Sequence, residues 1–184
     1  MSSSTVTTTR VELLGRIVRD ARQVLDGTMA DVTQAQMDFI PPGIANPLGA
    51  TYAHVTCSED MVVHGMFRQA APLFASSWAG RTGLSEPMPV PGPDWPNYRP
   101  WTRRVKVDLA ALRTYAQAVA AETDGWLAGL SDSDLDRPMD LTGAGLGQHT
   151  WASAIALLIA NHLGTETGEI AVLKGIQGAR GYPI

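Results

Sequence analysis

The chain has 184 residues, 45% of them hydrophobic and 17% charged, as expected for one globular domain with a core of its own. Its net charge of −4 and the absence of a long basic run argue against nucleic acid as the main partner, because phosphate binding needs clustered Lys and Arg. The single cysteine, Cys57, excludes an intramolecular disulfide and every zinc site built from several cysteines.

The N-terminal sequence MSSSTVTTTR has neither the basic region nor the apolar core of a signal peptide. We therefore predict a flexible tail at residues 1–9, followed by a single domain at 10–184. No apolar run is long enough to cross a bilayer, so we expect no membrane partner. The lone cysteine fits a reducing compartment, and the predicted location is the cytoplasm.

The N-terminal half of the domain predicts a long helix and then a short one. The first helix begins at Thr8 or Thr9, either of which can cap it, and its apolar stripe continues to about Met29. A short helix follows in DVTQAQMDF, capped by Asp31 or Thr33. The stretch IPPGIANPLGA then breaks the helical pattern.

A second long helix is predicted from Asn46 and Pro47, which suit the N-cap and the first helical position, to about Gln69. It carries His54 and Cys57. From 71 to 104, seven prolines exclude a long helix or a central strand. Two interpretations of this Pro/Trp-rich segment are open: it covers one end of the core, or it forms the wall or lid of a pocket.

A third helix is predicted over about 107–130, with Asp108 near its start. The glycine-rich stretch DRPMDLTGAGLGQHT predicts a turn or a small hairpin. The last helix begins after its N-cap, Thr150, and runs from Trp151 to about Gly175. Four main helices with a long loop between the second and the third predict an all-α bundle.

His162 and Glu166 are four residues apart, so a helix places them side by side on one face. With a third ligand from another helix, for which His54 is the candidate, they could bind one divalent metal ion such as zinc, nickel, iron or manganese. From spacing alone, the favoured interpretation is that His162 and His54 are core-edge histidines that hydrogen-bond a neighbour. In that interpretation Glu166 lies in a solvated polar strip with Thr165, Thr167 and Glu169. His64 and His149 are predicted to be surface or capping residues.

Two segments resemble the DinB-like (DinB/YfiT-like) superfamily. NHLGTETGEIAVLKGIQGARGYP resembles its final helix, whose pattern is H-x-x-x-H-x-G-x-I with both histidines as metal ligands. Here the pattern is His162, Glu166 in place of the second histidine, Gly168 and Ile170. NPLGATYAHVTCSEDMVV resembles the second helix of the family, in which His54 matches the third ligand.

The resemblance implies a DinB-like four-helix bundle with the spatial helix order 1-2-4-3, so that the second and last helices are neighbours. It also implies a homodimer, and a metal-dependent transferase, isomerase or hydrolase-type activity on a small molecule. A low-molecular-weight thiol is a candidate cosubstrate. The substrate pocket would be walled by Trp95 and Trp101, with Arg103 or Arg104 facing a substrate carboxylate.

Two hypotheses follow from the replaced ligand. In the first, His54, His162 and Glu166 bind the ion and the protein is an enzyme. In the second, the change at Glu166 marks an altered or lost metal site, and the protein is a non-catalytic dimer that binds a ligand or a protein partner.

Overall fold

The computed structural model describes residues 8–91 and 95–183. Most of the predicted N-terminal tail, residues 1–7, lies outside them, as do Pro93 of the Pro/Trp-rich segment and Ile184. The chain is mostly helical, which confirms the all-α class, and it carries one small two-stranded sheet.

Capping side chains fix the residues at which the first two helices begin. Helix α1, Arg10–Met29, begins at a capping box: Glu12 N donates to Thr9 Oγ1 at 3.1 Å, and Thr9 N donates to the Glu12 carboxylate at 2.8 Å. Helix α2, Gln34–Asp38, begins at a second capping box on Thr33. Both starts agree with the prediction, because each cap satisfies backbone N–H groups that would otherwise lack a partner.

Helix α3, Leu48–Asp60, continues without a break into a π-helical segment, Met61–Phe67. The predicted extent of this second long helix is confirmed, but Asn46 is not its N-cap. Pro47 takes that position, and the Asn46 amide instead reaches Glu169 of the last helix.

The Pro/Trp-rich segment contains only short helical turns, as its prolines require. These are Leu73–Ala75, Trp95–Asn97 and helix α4, Tyr98–Thr102. An antiparallel bridge between Leu84 and Val107 ties the segment to the start of the next long helix.

Helix α5, Leu109–Ala128, begins where Ala111 N donates to the Asp108 side chain at 3.0 Å. Strands β1, Pro138–Leu141, and β2, Gly147–Thr150, then pair antiparallel, so the glycine-rich stretch forms the predicted hairpin.

The last helix has three parts: α6, Trp151–Ile155; a π-helical segment, Ala156–Asn161; and α7, His162–Ile176. Thr150 caps it in a capping box with Ser153, as expected for its N-cap. The π-helical segment adds one residue to the turn directly before His162, and such insertions are frequent at functional sites.

The four long helices contact one another in a closed ring. Helix α7 packs against α1 and α3, and α5 also packs against α1 and α3. The predicted contact between the second and last helices is therefore confirmed. The predicted order 1-2-4-3 is wrong in the pairs 1-2 and 4-3, because the order around the ring is 1-4-2-3.

A buried carboxylate fastens the Pro/Trp-rich segment to α3. Asp60 has no exposed surface, and it accepts hydrogen bonds from the backbone N–H groups of Leu73 and Phe74 and from the Tyr115 hydroxyl. The Nδ1 atom of His64 lies 2.8 Å from Asp60 Oδ1. The prediction that His64 is a surface or capping residue is therefore wrong, since this histidine is buried beside a carboxylate.

In the part of the chain that the structure describes, no helix has both the length and the apolar composition needed to cross a membrane.

Candidate metal centre

Two helices bring the three predicted ligands together. His54 Nε2 on α3 lies 3.2 Å from His162 Nε2, and His162 Nε2 lies 3.4 Å from Glu166 Oε1, both on α7. One ligand atom from each residue lies within 4.8 Å of the other two. The contact between α3 and α7 supplies the proximity that spacing alone could not decide.

Burial keeps His54 in its neutral form. It lowers the pKa of His54 to about 4; the Glu166 carboxylate opposes this shift and His162 adds to it. The His54 Nδ1 atom lies 3.4 Å from Ser58 Oγ, which can accept a hydrogen bond from a protonated Nδ1. In that tautomer Nε2 presents a lone pair toward His162 and Glu166, as a metal ligand must.

The three side chains fit a divalent metal ion. Two imidazole nitrogens and one carboxylate oxygen form a mixed N/O set of the kind that zinc, nickel, iron(II) and manganese bind. The side chains of His162 and Glu166 are only 25% and 13% exposed, so the carboxylate is held at the ligand cluster instead of extending into solvent. Three protein ligands would leave other coordination positions of such an ion open to water or substrate.

Two aromatic rings from the Pro/Trp-rich segment cover His54. The Tyr98 ring lies edge-on at a centroid distance of 5.0 Å, and Trp95 stacks on Tyr98 at 4.5 Å. Burial raises the pKa of Tyr98, and the nearby Glu166 and Glu169 carboxylates raise it further. Trp95 was among the predicted lining residues and Tyr98 was not, although Tyr98 is also an aromatic residue of the proline-rich segment.

Glu169 is a second carboxylate beside the centre, and it was not among the predicted ligands. The Asn46 amide and the Thr51 hydroxyl each donate to its Oε1 atom at 3.4 Å. Burial raises the pKa of Glu169, and Glu166 raises it further. The i, i+3 spacing from Glu166 was the only sequence signal for its position.

The other two predicted lining residues, Trp101 and Arg103, contact neighbouring segments of the chain. Trp101 has no exposed surface and packs against Tyr98 at a centroid distance of 5.7 Å, so it supports this ring, in contrast to the expected lining role. Arg103 donates to the backbone carbonyls of Pro41 and Ala45. Arg104, the alternative to Arg103, pairs with Glu86 at 2.7 Å. Trp95 alone of the predicted lining residues lies beside His54, at 6.4 Å between centroids.

A model of the DinB superfamily matches residues 17–170, a range that contains all three candidate ligands. The chain belongs to the DinB superfamily. The chain differs from the family pattern at Glu166, where a carboxylate replaces the second histidine that the resemblance implies for the last helix.

Two solved structures share the fold of this DinB-superfamily chain. The crystal structure of a conserved protein from Enterococcus faecalis is 18% identical with a TM-score of 0.72, over 96% of this chain and 99% of that one. The structure titled Sibling Lethal Factor Precursor – DfsB is 20% identical with a TM-score of 0.63, over 94% of this chain and 99% of that one. No curated protein matches the chain.

Proposed function

We propose that this protein is a DinB-like four-helix-bundle enzyme that uses a divalent metal ion to act on a small molecule. The observation that carries the proposal is the convergence of His54, His162 and Glu166 from two helices, with ligand atoms within 4.8 Å of one another. The closed ring of contacts among the four long helices supports the bundle architecture.

Each residue contributes differently to the proposed site. Neutral His54 offers Nε2, and Ser58 beside Nδ1 favours the tautomer in which that nitrogen is free. Glu166 adds a negative charge that a second histidine would not, which favours a divalent cation electrostatically. When bound, such an ion supplies Lewis acidity, which polarises a carbonyl or lowers the pKa of a water or a thiol.

The surroundings favour a small substrate and an external thiol. Trp95 and Tyr98 cover one side of the site, where they would exclude bulk water from a bound molecule. Burial raises the pKa of Cys57 to about 12, so this cysteine cannot supply a thiolate near neutral pH. Thiol-dependent transferase chemistry would therefore need a low-molecular-weight thiol as cosubstrate. A lone, buried, free cysteine fits the reducing cytoplasm, which we include in the proposal.

Metal analysis of protein purified without chelators tests the proposal. We expect about one divalent ion per chain in the wild type and much less in the His54→Ala/His162→Ala variant. His149→Ala is the matched control, because that histidine lies on the exposed hairpin and should leave the metal content unchanged. Equal metal content in wild type and double variant would refute the metal site.

The alternative function is a non-catalytic dimer with an altered metal site. Glu166 in place of the second histidine favours it. A stripe of exposed apolar side chains lies on α1, formed by Leu13, Ile17 and Val24 at 53%, 44% and 42% exposure, and it favours a dimer. A homodimer that buries this stripe is part of both hypotheses.

Sedimentation equilibrium tests the dimer. Leu13→Glu/Ile17→Glu should shift the protein toward the monomer, because the new charges would be buried at the interface. Leu146→Glu, which changes an equally exposed apolar residue outside α1, is the control. A wild type that is monomeric at all concentrations would refute the dimer.

A further inference from the structure

A cavity lies between the long helices, away from the metal centre. It has a volume of about 280 Å³ and is lined by residues of α1, α3 and α5, with Leu163 from α7. On α3, Tyr52, Val55, Thr56 and Glu59 line it. At 3.6 residues per turn, His54 and Ser58 point from the opposite face of the same helix. The two sites are therefore separate.

The cavity has an apolar body and a polar boundary. Its apolar surface comes from the side chains of Leu25, Met29, Val55, Val119 and Leu163. Its charged or polar boundary comes from Arg22, Asp26, Tyr52, Glu59 and Arg113. An apolar cavity with a few converging polar groups is the usual form of a small-molecule site, and this one has the volume for a single small ligand.

Part of the polar boundary is already paired within the protein. Arg22 contacts Glu59 at 2.5 Å and Asp124 at 3.0 Å, and the three charges form a network between α1, α3 and α5. Within this network, Arg22 Nε is buried without an acceptor among the residues that the structure describes. This network closes one end of the cavity.

The other end carries polar groups without partners. Tyr52 is only 3% exposed, and its hydroxyl makes no hydrogen bond to any residue of 8–91 or 95–183. The hydroxyl remains accessible from the cavity that Tyr52 lines, so it can hydrogen-bond a molecule bound there. Burial raises the pKa of Tyr52 to about 12, the Asp26 carboxylate adds to the rise, and the Arg113 guanidinium opposes it. Asp26 and Arg113 line the same cavity as Tyr52.

Asp26 and Arg113 carry opposite charges on two different helices without pairing to each other. Asp26 is at the exposed rim on α1, and its carboxylate has neither a hydrogen bond nor a salt bridge within the described ranges. Burial raises its pKa, the Arg22 guanidinium lowers it and Glu59 raises it. Arg113 on α5 is half-buried; one of its amino groups donates to the carbonyls of Met29, Ala30 and Val32, and the remaining guanidinium N–H groups have no acceptor in the described chain.

We propose that this cavity binds a free α-amino acid with an apolar side chain, its ammonium group on Asp26 and its carboxylate on Arg113. The Tyr52 hydroxyl is placed to hydrogen-bond the same polar head, and Leu25, Met29 and Val55 would contact the side chain. A ligand with only a carboxylate would leave Asp26 unpaired and face its negative charge. A ligand with only an amine would leave Arg113 unpaired.

Isothermal titration of the full-length protein with L-leucine tests the proposal. Two probes of the same shape each lack one charge: 4-methylpentanoate has no amino group, and 3-methylbutylamine has no carboxylate. We expect L-leucine to bind and each probe to bind at least roughly tenfold more weakly, because each loses one charge-assisted hydrogen bond. Asp26→Asn should weaken L-leucine binding by a similar factor, and Tyr52→Phe should weaken it by about threefold or more.

The His54→Ala/His162→Ala variant separates this site from the proposed metal centre, since an amino acid can also chelate a metal. It should bind L-leucine as the wild type does. The proposal is overturned if L-leucine, L-methionine and L-phenylalanine all fail to bind at millimolar concentration, or if either single-charge probe binds as tightly as L-leucine. It is also overturned if binding survives Asp26→Asn but is lost in the histidine double variant. None of these outcomes changes the metal analysis, so the two proposals can fail independently.

Discussion

The Tyr115 hydroxyl on α5 donates a 2.6 Å hydrogen bond to Asp60 Oδ2 on α3, at a carboxylate with no exposed surface. The same carboxylate accepts hydrogen bonds from the backbone N–H groups of Leu73 and Phe74. One side chain thus connects two long helices and the beginning of the segment that later supplies Trp95 and Tyr98 to the metal centre.

Replacing Asp60 with alanine should lower the free energy of unfolding by about 3–5 kcal/mol, because several buried donors lose their acceptor at once. Urea denaturation measures the change. Asp20→Ala is the matched control: Asp20 is 65% exposed on α1, 3.7 Å from Arg16, and its loss should cost less than about 1 kcal/mol. Equal effects of the two variants would show that the Asp60 contacts contribute little.

Restoring the family pattern with Glu166→His should keep divalent metal binding but change its preference. Imidazole favours zinc and nickel, whereas a carboxylate favours manganese, so the zinc-to-manganese affinity ratio should rise. Glu166→Ala should lower zinc affinity at least roughly tenfold. Competition titrations with a chromophoric chelator measure both. Asp20→Asn, on the exposed face of α1, is the control and should stay near the wild type. An alanine variant that binds zinc as tightly as the wild type would exclude Glu166 as a ligand.

The neutral His54 makes the stability of the metal-free protein depend on pH. Its folded-state pKa of about 4 lies below the unfolded value of 6.5, so the unfolded chain binds a proton first as the pH falls. The stability that neutral His54 contributes is therefore fully present above pH 6.5. As the pH falls from 6.5 to 4, the free energy of unfolding decreases by up to about 3 kcal/mol. Chelator-treated His54→Gln should lack this part of the decline in urea titrations across that range. Parallel curves for the two proteins would contradict the assignment.

Cys57 should resist thiol reagents in the folded protein. It is 2% exposed, and burial raises its pKa to about 12, so thiolate is scarce near pH 8. Labelling with a disulfide reagent should be complete in urea and at least roughly a hundredfold slower in native buffer. Fast labelling of the native protein would contradict this, because it would show that the thiol is accessible and could take part in catalysis.

The sequence could predict what depends on neighbours along the chain. Thr9 and Thr150 cap their helices because the residue three positions later completes each capping box. His162 and Glu166 share a helix face because they are four apart. His54 joined them only through the resemblance, which supplied the contact between α3 and α7.

Contacts between distant segments could not be predicted from the sequence. Asn46 has every local feature of an N-cap, yet its amide donates to Glu169, 123 residues away. His64 was placed at the surface because nothing near it in sequence shows that Asp60 is buried. Tyr98 reaches His54 through the path of the proline-rich segment, and no periodicity describes that path.

The extra residue in the π-helical segment Ala156–Asn161 acts as a rotational offset within the last helix. It rotates the two halves of the helix relative to each other about the helix axis. The half before it contains Trp151 and Ile155, and the half after it contains His162 and Glu166. Deleting one residue of this segment would turn one half by about 100° relative to the other. The alignment of the apolar face with the ligand face therefore depends on the length of a six-residue segment that contains no charged side chain.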